Sequence, residues 1–519
     1  MLRVKVWSLL LALSASSVAR ADGPEIRMTS REAVDRALQH NLSLKVDRLD
    51  PALTDAAERT AAAVFHPVLT SGVDVTGSPG SVSQQRVGLS PTSSTSVGGD
   101  VGLRKQFSIG TTLEGSLASS ALYGGGRGGL DPAYQSGLSL TVRQSLLQGI
   151  SRRSNEATIM TAQLDREAAV ALLRRRAELI AAETLKGYWD LRAAMSKVAV
   201  QVVALQLTEA TRRDTQELVN AGKLAASELI SATYAVQSQR RARVTAEQEL
   251  QNVRDHMARL TGMVSPRSLA TPPIVPVSSP RRERPKWTLA QLQREALQNR
   301  GDYKALQIAI QIRKLEEQRA QHRLLPRLDL VAGLQLTGLS GETDPRSEEY
   351  DEGYWSSFVL KRVGWSAGLS LEVPLGNAQA RARRDVAALQ TKRAALQQDL
   401  ATQALSLELN VAWRAVQTAR QQLRLTEEAA RVAEAKLANE TALYKAGKVS
   451  AHILGQVQAD AITERLGREQ ALADMVKAAV DMQAAAGVLL PRLGCARGGG
   501  PPLECGRARE KQVKTEVGQ

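Results

Sequence analysis

The side chains that could hold a metal, form a bridge or cradle a phosphate are few in this chain, and they are badly placed for it. His40, His66, His256, His322 and His452 are scattered, with no His-Glu-x-x-His pair and no Lys-Ser/Thr closing a glycine-rich loop, so neither a zinc hydrolase nor a phosphate cradle is spelled out. Gly124, Gly126 and Gly129 satisfy G-x-G-x-x-G in letter. No strand-to-helix crossover of a parallel α/β unit follows them, and the run reads as an exposed loop. Cys495 and Cys505 lie in a Gly/Pro-rich tail, where they could pair in an oxidising compartment. The expectation is a protein with no catalytic centre, cofactor or metal. The net charge of +15 raises the question of anionic partners, but basic residues alternate with acids along helical tracts, which suits solvated helix faces and not a nucleic-acid stripe.

The elements that carry these residues begin with an export signal. Arg3 and Lys5 supply its positive start, Ser8 to Val18 its apolar stretch and Ala19-Arg20-Ala21 its cleavage pattern, so residues 1–21 are expected to be removed. With no cysteine at the cleavage site, no lipid anchor is expected. Nothing afterwards offers the roughly 18 uninterrupted apolar residues of a membrane-spanning helix. Any membrane contact therefore falls to β-strands.

The chain also repeats itself. Thr29 and Thr288 each open a segment that runs through Ala-Leu-Gln to a proline 38 positions on, Pro67 and Pro326. Leu218-Val219-Asn220-Ala221-Gly222-Lys223 echoes Leu443-Tyr444-Lys445-Ala446-Gly447-Lys448. Thr288 follows Thr29 by 259 positions but Leu443 follows Leu218 by 225, so the first copy carries 34 more residues, all between Pro67 and its long helix. Two large copies indicate a pseudo-symmetric tandem and not a solenoid. The first repeat is placed at 22–265, a proline-rich extended linker at 266–286, the second repeat at 287–491 and a disordered tail at 492–519. Each copy is expected to hold a helix of roughly 35 residues, about 29 to 63 and 288 to 324, then strands, then a long helical hairpin. Ser151 to Leu218 and Ala378 to Tyr444 lack proline, and at about 1.5 Å per residue each could extend roughly 100 Å. The Ala-Gly-Lys turns follow, and helices of about 40 residues return to Gly262 and Gly487.

Period-two alternation fills the regions between, at about 64–148 and 327–375. Leu103, Phe107, Ile109, Leu113 and Leu117 face one way and Arg104, Gln106, Ser108 and Glu114 the other. Leu138 to Arg143, Leu328 to Leu330, Leu334 to Leu336 and Leu369 to Leu375 alternate likewise. Segments of about 9 to 11 residues with one apolar and one polar face suit a barrel with lipid outside and water inside. Gly77 to Asp100, Gly124 to Gly129 and Ser340 to Gly353 read as loops between them. Phe65, Phe107, Tyr123, Tyr134, Tyr354, Trp355, Phe358 and Trp365 would form an interfacial girdle. A chain that enters and leaves a barrel on one side crosses an even number of times, so Val101 to Leu117 either turns back at Gly110 or crosses only in part. The minimal count is four strands per chain. Four cannot enclose a lumen, so the barrel must be shared between subunits.

With these features in place, the chain to about Pro491 resembles the TolC-like outer-membrane efflux family. The resemblance rests on the Thr29-Ser30-Arg31-Glu32-Ala33 opening and its echo at Thr288, and on the strand-to-helix junctions Gln144-Ser145-Leu146-Leu147-Gln148-Gly149 and Glu372-Val373-Pro374-Leu375-Gly376. It implies a mainly α-helical protein with a transmembrane β-barrel: a homotrimer in the outer membrane of a Gram-negative bacterium, its shared twelve-stranded barrel set over a periplasmic helical tunnel. It also implies a periplasmic adaptor and an inner-membrane pump as partners. The family's tip turn carries glycine, an acid six positions on and alanine ten on, and Gly222, Glu228 and Ala232 fit. With Lys223, Gly447 and Lys448 they form the implied adaptor-docking turns. The second copy places Ile453 and Val457 at the acid and alanine positions. Gln456 and Asp460 are the candidates for a tunnel constriction, where symmetry-related carboxylates would attract cations. A periplasmic coiled-coil scaffold without a pore, or an adhesin or hydrolase with a barrel anchor, are the competing readings.

Overall fold

The computed structural model describes residues 25–78, 93–124, 130–264, 271–280, 287–341, 354–446 and 448–494. The expected signal, both cysteines, Gly126, Gly129 and Gly447 lie outside them. The chain divides into two compact units. One holds the described residues of Met1–Asp50, Val170–Ala305 and Asp399–Gln519, the other Pro51–Ala169 and Leu306–Gln398.

The second of these is organised by a six-stranded antiparallel sheet, β2 (Val68–Ser78), β3 (Ser94–Gln106), β4 (Thr111–Tyr123), β5 (Ala133–Ser145), β7 (Arg327–Gly341) and β8 (Arg362–Glu372), hydrogen-bonded in that order. Four strands come from the first repeat and two from the second, so the minimal count of four is corrected to six. The turn at Gly110 is real. Gly110 has φ +81°, and a Cβ there would lie 2.3 Å from the Gly149 carbonyl oxygen, so only glycine fits. Gly77 to Asp100 is not one loop, because β2 and β3 occupy both of its ends. Ser340 and Gly341 likewise end β7. Residues 79–92 and 342–353 lie outside the described set.

Register makes the sheet two-faced. Leu69 opposes Leu103, Val101 opposes Leu117, Leu117 opposes Leu138, Leu140 opposes Leu334 and Leu334 opposes Trp365 on one face. Arg104 opposes Glu114, Glu114 opposes Thr141 and Ser139 opposes Gln335 on the other. Where the sheet meets the helices, buried Asp329 accepts from Ser145 Oγ at 3.0 Å and from Arg327 Nε at 2.9 Å, and Arg143 Nη1 lies 3.4 Å away. Several aromatic rings gather near the strand ends, but Trp365, expected among them, lies opposite Leu334 at the middle of β7. Tyr134 and Phe358 flank Tyr354 edge-on at 5.7 and 5.4 Å, while Phe107 at the opposite end sits 5.0 Å beneath the Lys105 ammonium.

Local sequence sets the start of each repeat. Thr29 and Thr288 are N-caps with reciprocal capping boxes. Glu32 N donates to Thr29 Oγ1 at 3.2 Å while Thr29 N donates to Glu32 Oε2 at 2.8 Å, and Gln291 and Thr288 do the same at 3.3 and 2.9 Å. The helices that follow are not continuous as expected. The first copy breaks into Ser30–His40, Leu42–Asp47 and Asp50–Ala62, the second into Leu289–Asn299 and Gly301–His322. The equivalent residues Asn41 and Arg300 both adopt extended backbone, with ψ 123° and 122°. Asn41 accepts from Leu44 N at 3.1 Å and donates to Leu260 O at 3.0 Å, so the kink is held by a cap and a tertiary bond together.

The long helices are Ala157–Asn220 and Ala378–Lys445, and the returning ones Ala226–Leu260 and Ala451–Ala485. A separate turn, Arg152–Asn155, precedes the first. The linker contributes a strand of its own. β6 (Ile274–Pro276) pairs in parallel with β1 (Ile26–Met28), over the fully buried Tyr188, whose hydroxyl donates to Met28 O at 3.0 Å and accepts from Ser278 N at 2.8 Å. A short helix, Leu489–Arg492, spans the expected end of the second repeat at 491, and Leu489 and Leu490 pack in one cluster with Val34, Leu38 and Ile180.

Candidate functional site

Each helical hairpin turns through the same hydrogen-bond pattern. Lys223 N donates to Leu218 O at 2.9 Å and Lys448 N to Leu443 O at 3.0 Å, the six-to-one closure of a Schellman turn. Gly222 has φ +71° with nothing within 4 Å of a Cβ position, so its requirement is conformational and not steric. Beyond the turns the copies diverge. Ser450 caps the second returning helix by accepting from Ile453 N at 3.4 Å, whereas Ala225 at the equivalent position offers no side-chain cap.

Glu228 stands in the first turn of its helix, where the amide dipoles favour negative charge. Its Oε2 is buried and lacks a hydrogen-bond partner. Ala232 and its counterpart Val457 are both buried, at 7% and 4% exposure, so both pack inward. The residues that do face outward are Ile230 and Tyr234, one helical turn apart and 72% and 70% exposed. They border a groove of about 580 Å³ shared with Thr208, Thr211, Gly455 and Gln456. Beneath it, Gln458 Nε2 donates to Thr211 Oγ1 at 2.9 Å and the hydroxyls of Thr215 and Tyr444 meet at 2.9 Å, joining the two repeats. Gln456 is exposed and meets the His452 ring at 3.2 Å, and the exposed Asp460 carboxylate lies 3.6 Å from Lys436 Nζ.

A second polar cluster in the same unit went unread in the sequence. Arg300 forks onto Asp302 at 2.7 and 3.0 Å and reaches Glu408 at 2.6 Å; Arg175 lies 3.7 Å from Asp302 and 3.5 Å from Glu178. Burial works against the Asp302 charge, yet the Arg300 fork, aided by Arg175, holds its carboxyl below the usual range. At Glu178 burial wins. Its carboxyl is pushed up despite accepting from Leu489 N at 3.0 Å and lying beside Arg175. Arg175 on the packed side of a long helix was the available signal, because an arginine is rarely buried there unless paired. Among the described residues no cluster of His, Cys, Asp and Glu could hold a metal ion.

Residues 292–488 match the family model described as outer membrane efflux protein. Comparison with curated proteins finds no match. Among solved structures, the outer-membrane channel OprN superposes with a TM-score of 0.66 at 17% identity, covering 88% of this chain and 89% of that one. The CmeC outer membrane channel of Campylobacter jejuni gives 0.64 at 14%, covering 94% and 89%. The outer membrane protein VceC of Vibrio cholerae gives 0.64 at 16%, covering 88% and 96%. At these identities the likeness is one of fold, and it extends over nearly the whole chain. Residues 292–488, most of the second repeat, thus resemble the outer membrane efflux protein family in sequence, and the chain shares the fold of outer-membrane channels.

Proposed function

We propose that the chain is one subunit of a homotrimeric, passive channel that carries solutes from an inner-membrane pump out through the outer membrane, in a tripartite system with a periplasmic adaptor. One observation carries this reading: the sheet exposes an apolar face opposite a polar one, in a chain where no described helix is long and apolar enough to cross a membrane. Such a surface is stable against lipid on one side and water on the other. Transport energy would come from the pump, because the cluster of groups a chemical step requires is not spelled out in the sequence.

The adaptor would dock at the hairpin turns. Gly222 with Lys223 sets the first turn, and Lys448, donating to Leu443 O, closes the second. Glu228 adds negative charge in the first turn of the returning helix, and the exposed Ile230 and Tyr234 supply the adjoining apolar contact. Ala232 serves by letting the helices approach. A constriction at Gln456 and Asp460 would be mild, because each Asp460 already faces Lys436 and three copies would present ion pairs instead of bare carboxylates.

Purified protein added to a planar lipid bilayer tests the channel directly. Stepwise conductance is expected. A protein that fractionates without the outer membrane and leaves the bilayer sealed would identify a periplasmic scaffold.

A further inference from the structure

The sheet is built for more than a twelve-stranded barrel: we infer that β8 of each subunit pairs with β2 of the next, so that three copies close a barrel of eighteen strands. This rests on the trimeric channel proposed above.

The first ground is the sheet itself. All six strands belong to one continuous ladder, each pair in register over 11 to 13 residues, so no hairpin stands apart from the wall. The second is the repeat. The 34 residues by which the first copy exceeds the second fall between Pro67 and its long helix, where β3, the turn at Gly110 and β4 occupy 94–123. An added hairpin accounts for the excess and keeps the number of crossings even.

The edges supply the third ground. Among the described residues β2 and β8 each have a neighbour on one side only; both are 11 residues long and exposed almost throughout, with Val73 at 84% and Trp365 at 81%. Open edges of this length, with no proline inside them, invite pairing. Directions alternate across the sheet, so β2 and β8 run oppositely. When all subunits enter the membrane in one orientation, β8 against a second β8 would be parallel, whereas β8 against the next subunit's β2 continues the antiparallel ladder. Setting Val68 opposite Glu372 places Leu69 by Leu371 and Val75 by Trp365 on the apolar face, and Asp74 by Ser366 and Ser78 by Arg362 on the polar face. Sliding the register by two residues keeps the faces matched, and sliding it by one reverses them.

The consequence is width. With strands about 4.8 Å apart and tilted about 40°, twelve strands enclose a backbone diameter of about 24 Å and eighteen about 36 Å.

The test uses the full-length chain with Cys495→Ser and Cys505→Ser, carrying Leu69→Cys and Leu371→Cys together, with Leu69→Cys and Leu369→Cys as the slid register. Oxidation in outer-membrane vesicles should give disulfide-linked dimers and trimers that reductant dissolves. Native mass and strand count of the unsubstituted protein in nanodiscs, by electron cryomicroscopy, stand whether or not these variants fold. Eighteen strands in a trimer supports the inference. A trimer whose barrel has twelve strands, with one hairpin folded away, overturns it and leaves the channel reading intact. A monomer overturns both.

Discussion

Replacing Leu334 by arginine, and separately Gln335, tests which face of the sheet meets lipid. Leu334 is the eighth of fifteen residues in β7 and opposes Leu140 and Trp365, whereas Gln335 opposes Ser139 and Gly364. A strand of 15 residues at about 3.3 Å per residue, tilted about 40°, rises about 38 Å and overspans an apolar band of about 25 Å. Leu334 therefore sits near the middle of that band, where arginine costs about 2 to 4 kcal/mol per chain. At about 1.4 kcal/mol per tenfold change, the folded-to-unfolded ratio should fall between about 30-fold and about 1,000-fold. Gln335→Arg, facing water, should change it by less than about threefold. Guanidinium titration of each variant in lipid vesicles, read by the gel mobility of folded and unfolded forms, supplies the comparison. Equal losses, or a greater loss at Gln335, would refute the assignment of faces and with it the channel.

Tyr188→Phe removes the acceptor for Ser278 N and leaves Met28 O with Val277 N alone, at 3.1 Å; a loss of about 1 to 3 kcal/mol, read from the urea midpoint, is expected. At Glu178 the folded-state pKa lies above the unfolded one. Its contribution to stability is full below the ordinary value of 4.5 and lost as pH rises through the raised value, so the wild type gains stability on acidification across that window and Glu178→Gln should not. Asp302 acts oppositely. Its contribution is present above 3.8 and lost as pH falls through its lowered value, so Asp302→Asn should flatten the acid limb below that point in thermal melts. The double variant Ile230→Ser, Tyr234→Ser should bind a cognate adaptor at least about tenfold more weakly in a pull-down titration. Its melting temperature should stay within a degree or two, because both side chains are mostly exposed.

How much of this was readable depended on how local each determinant is. The repeat starts were plain because a capping box is spelled within four residues, and Thr29 and Thr288 both carry one. The long helices were plain because nothing in them interrupts. The break at Asn41 was hidden, since the bond that fixes it reaches Leu260, 219 positions away. β2 and the first half of β3 escaped because Gly72, Gly77, Gly98, Gly99 and several serines dilute their alternation. The mismatch in repeat spacing was the trace of the added β3–β4 hairpin. At the turns, the closure at Lys223 followed from the Ala-Gly-Lys pattern, whereas the burial of both Ala232 and Val457, which differ in volume, did not. The Arg300–Asp302 fork depended on helix placement that no short motif encodes.

The pairing of Ile26 with Ile274 imposes an order on assembly. Synthesis begins at the N-terminus, so the first strand must wait for a partner 248 positions downstream, and Tyr188 cannot fill its place until both have arrived. Closing so distant a contact is slow, because a long loop must be gathered before anything is gained. The seam between the repeats is thus a latch that fastens late, and until it does the leading segment stays within reach of any chaperone or protease that meets the chain.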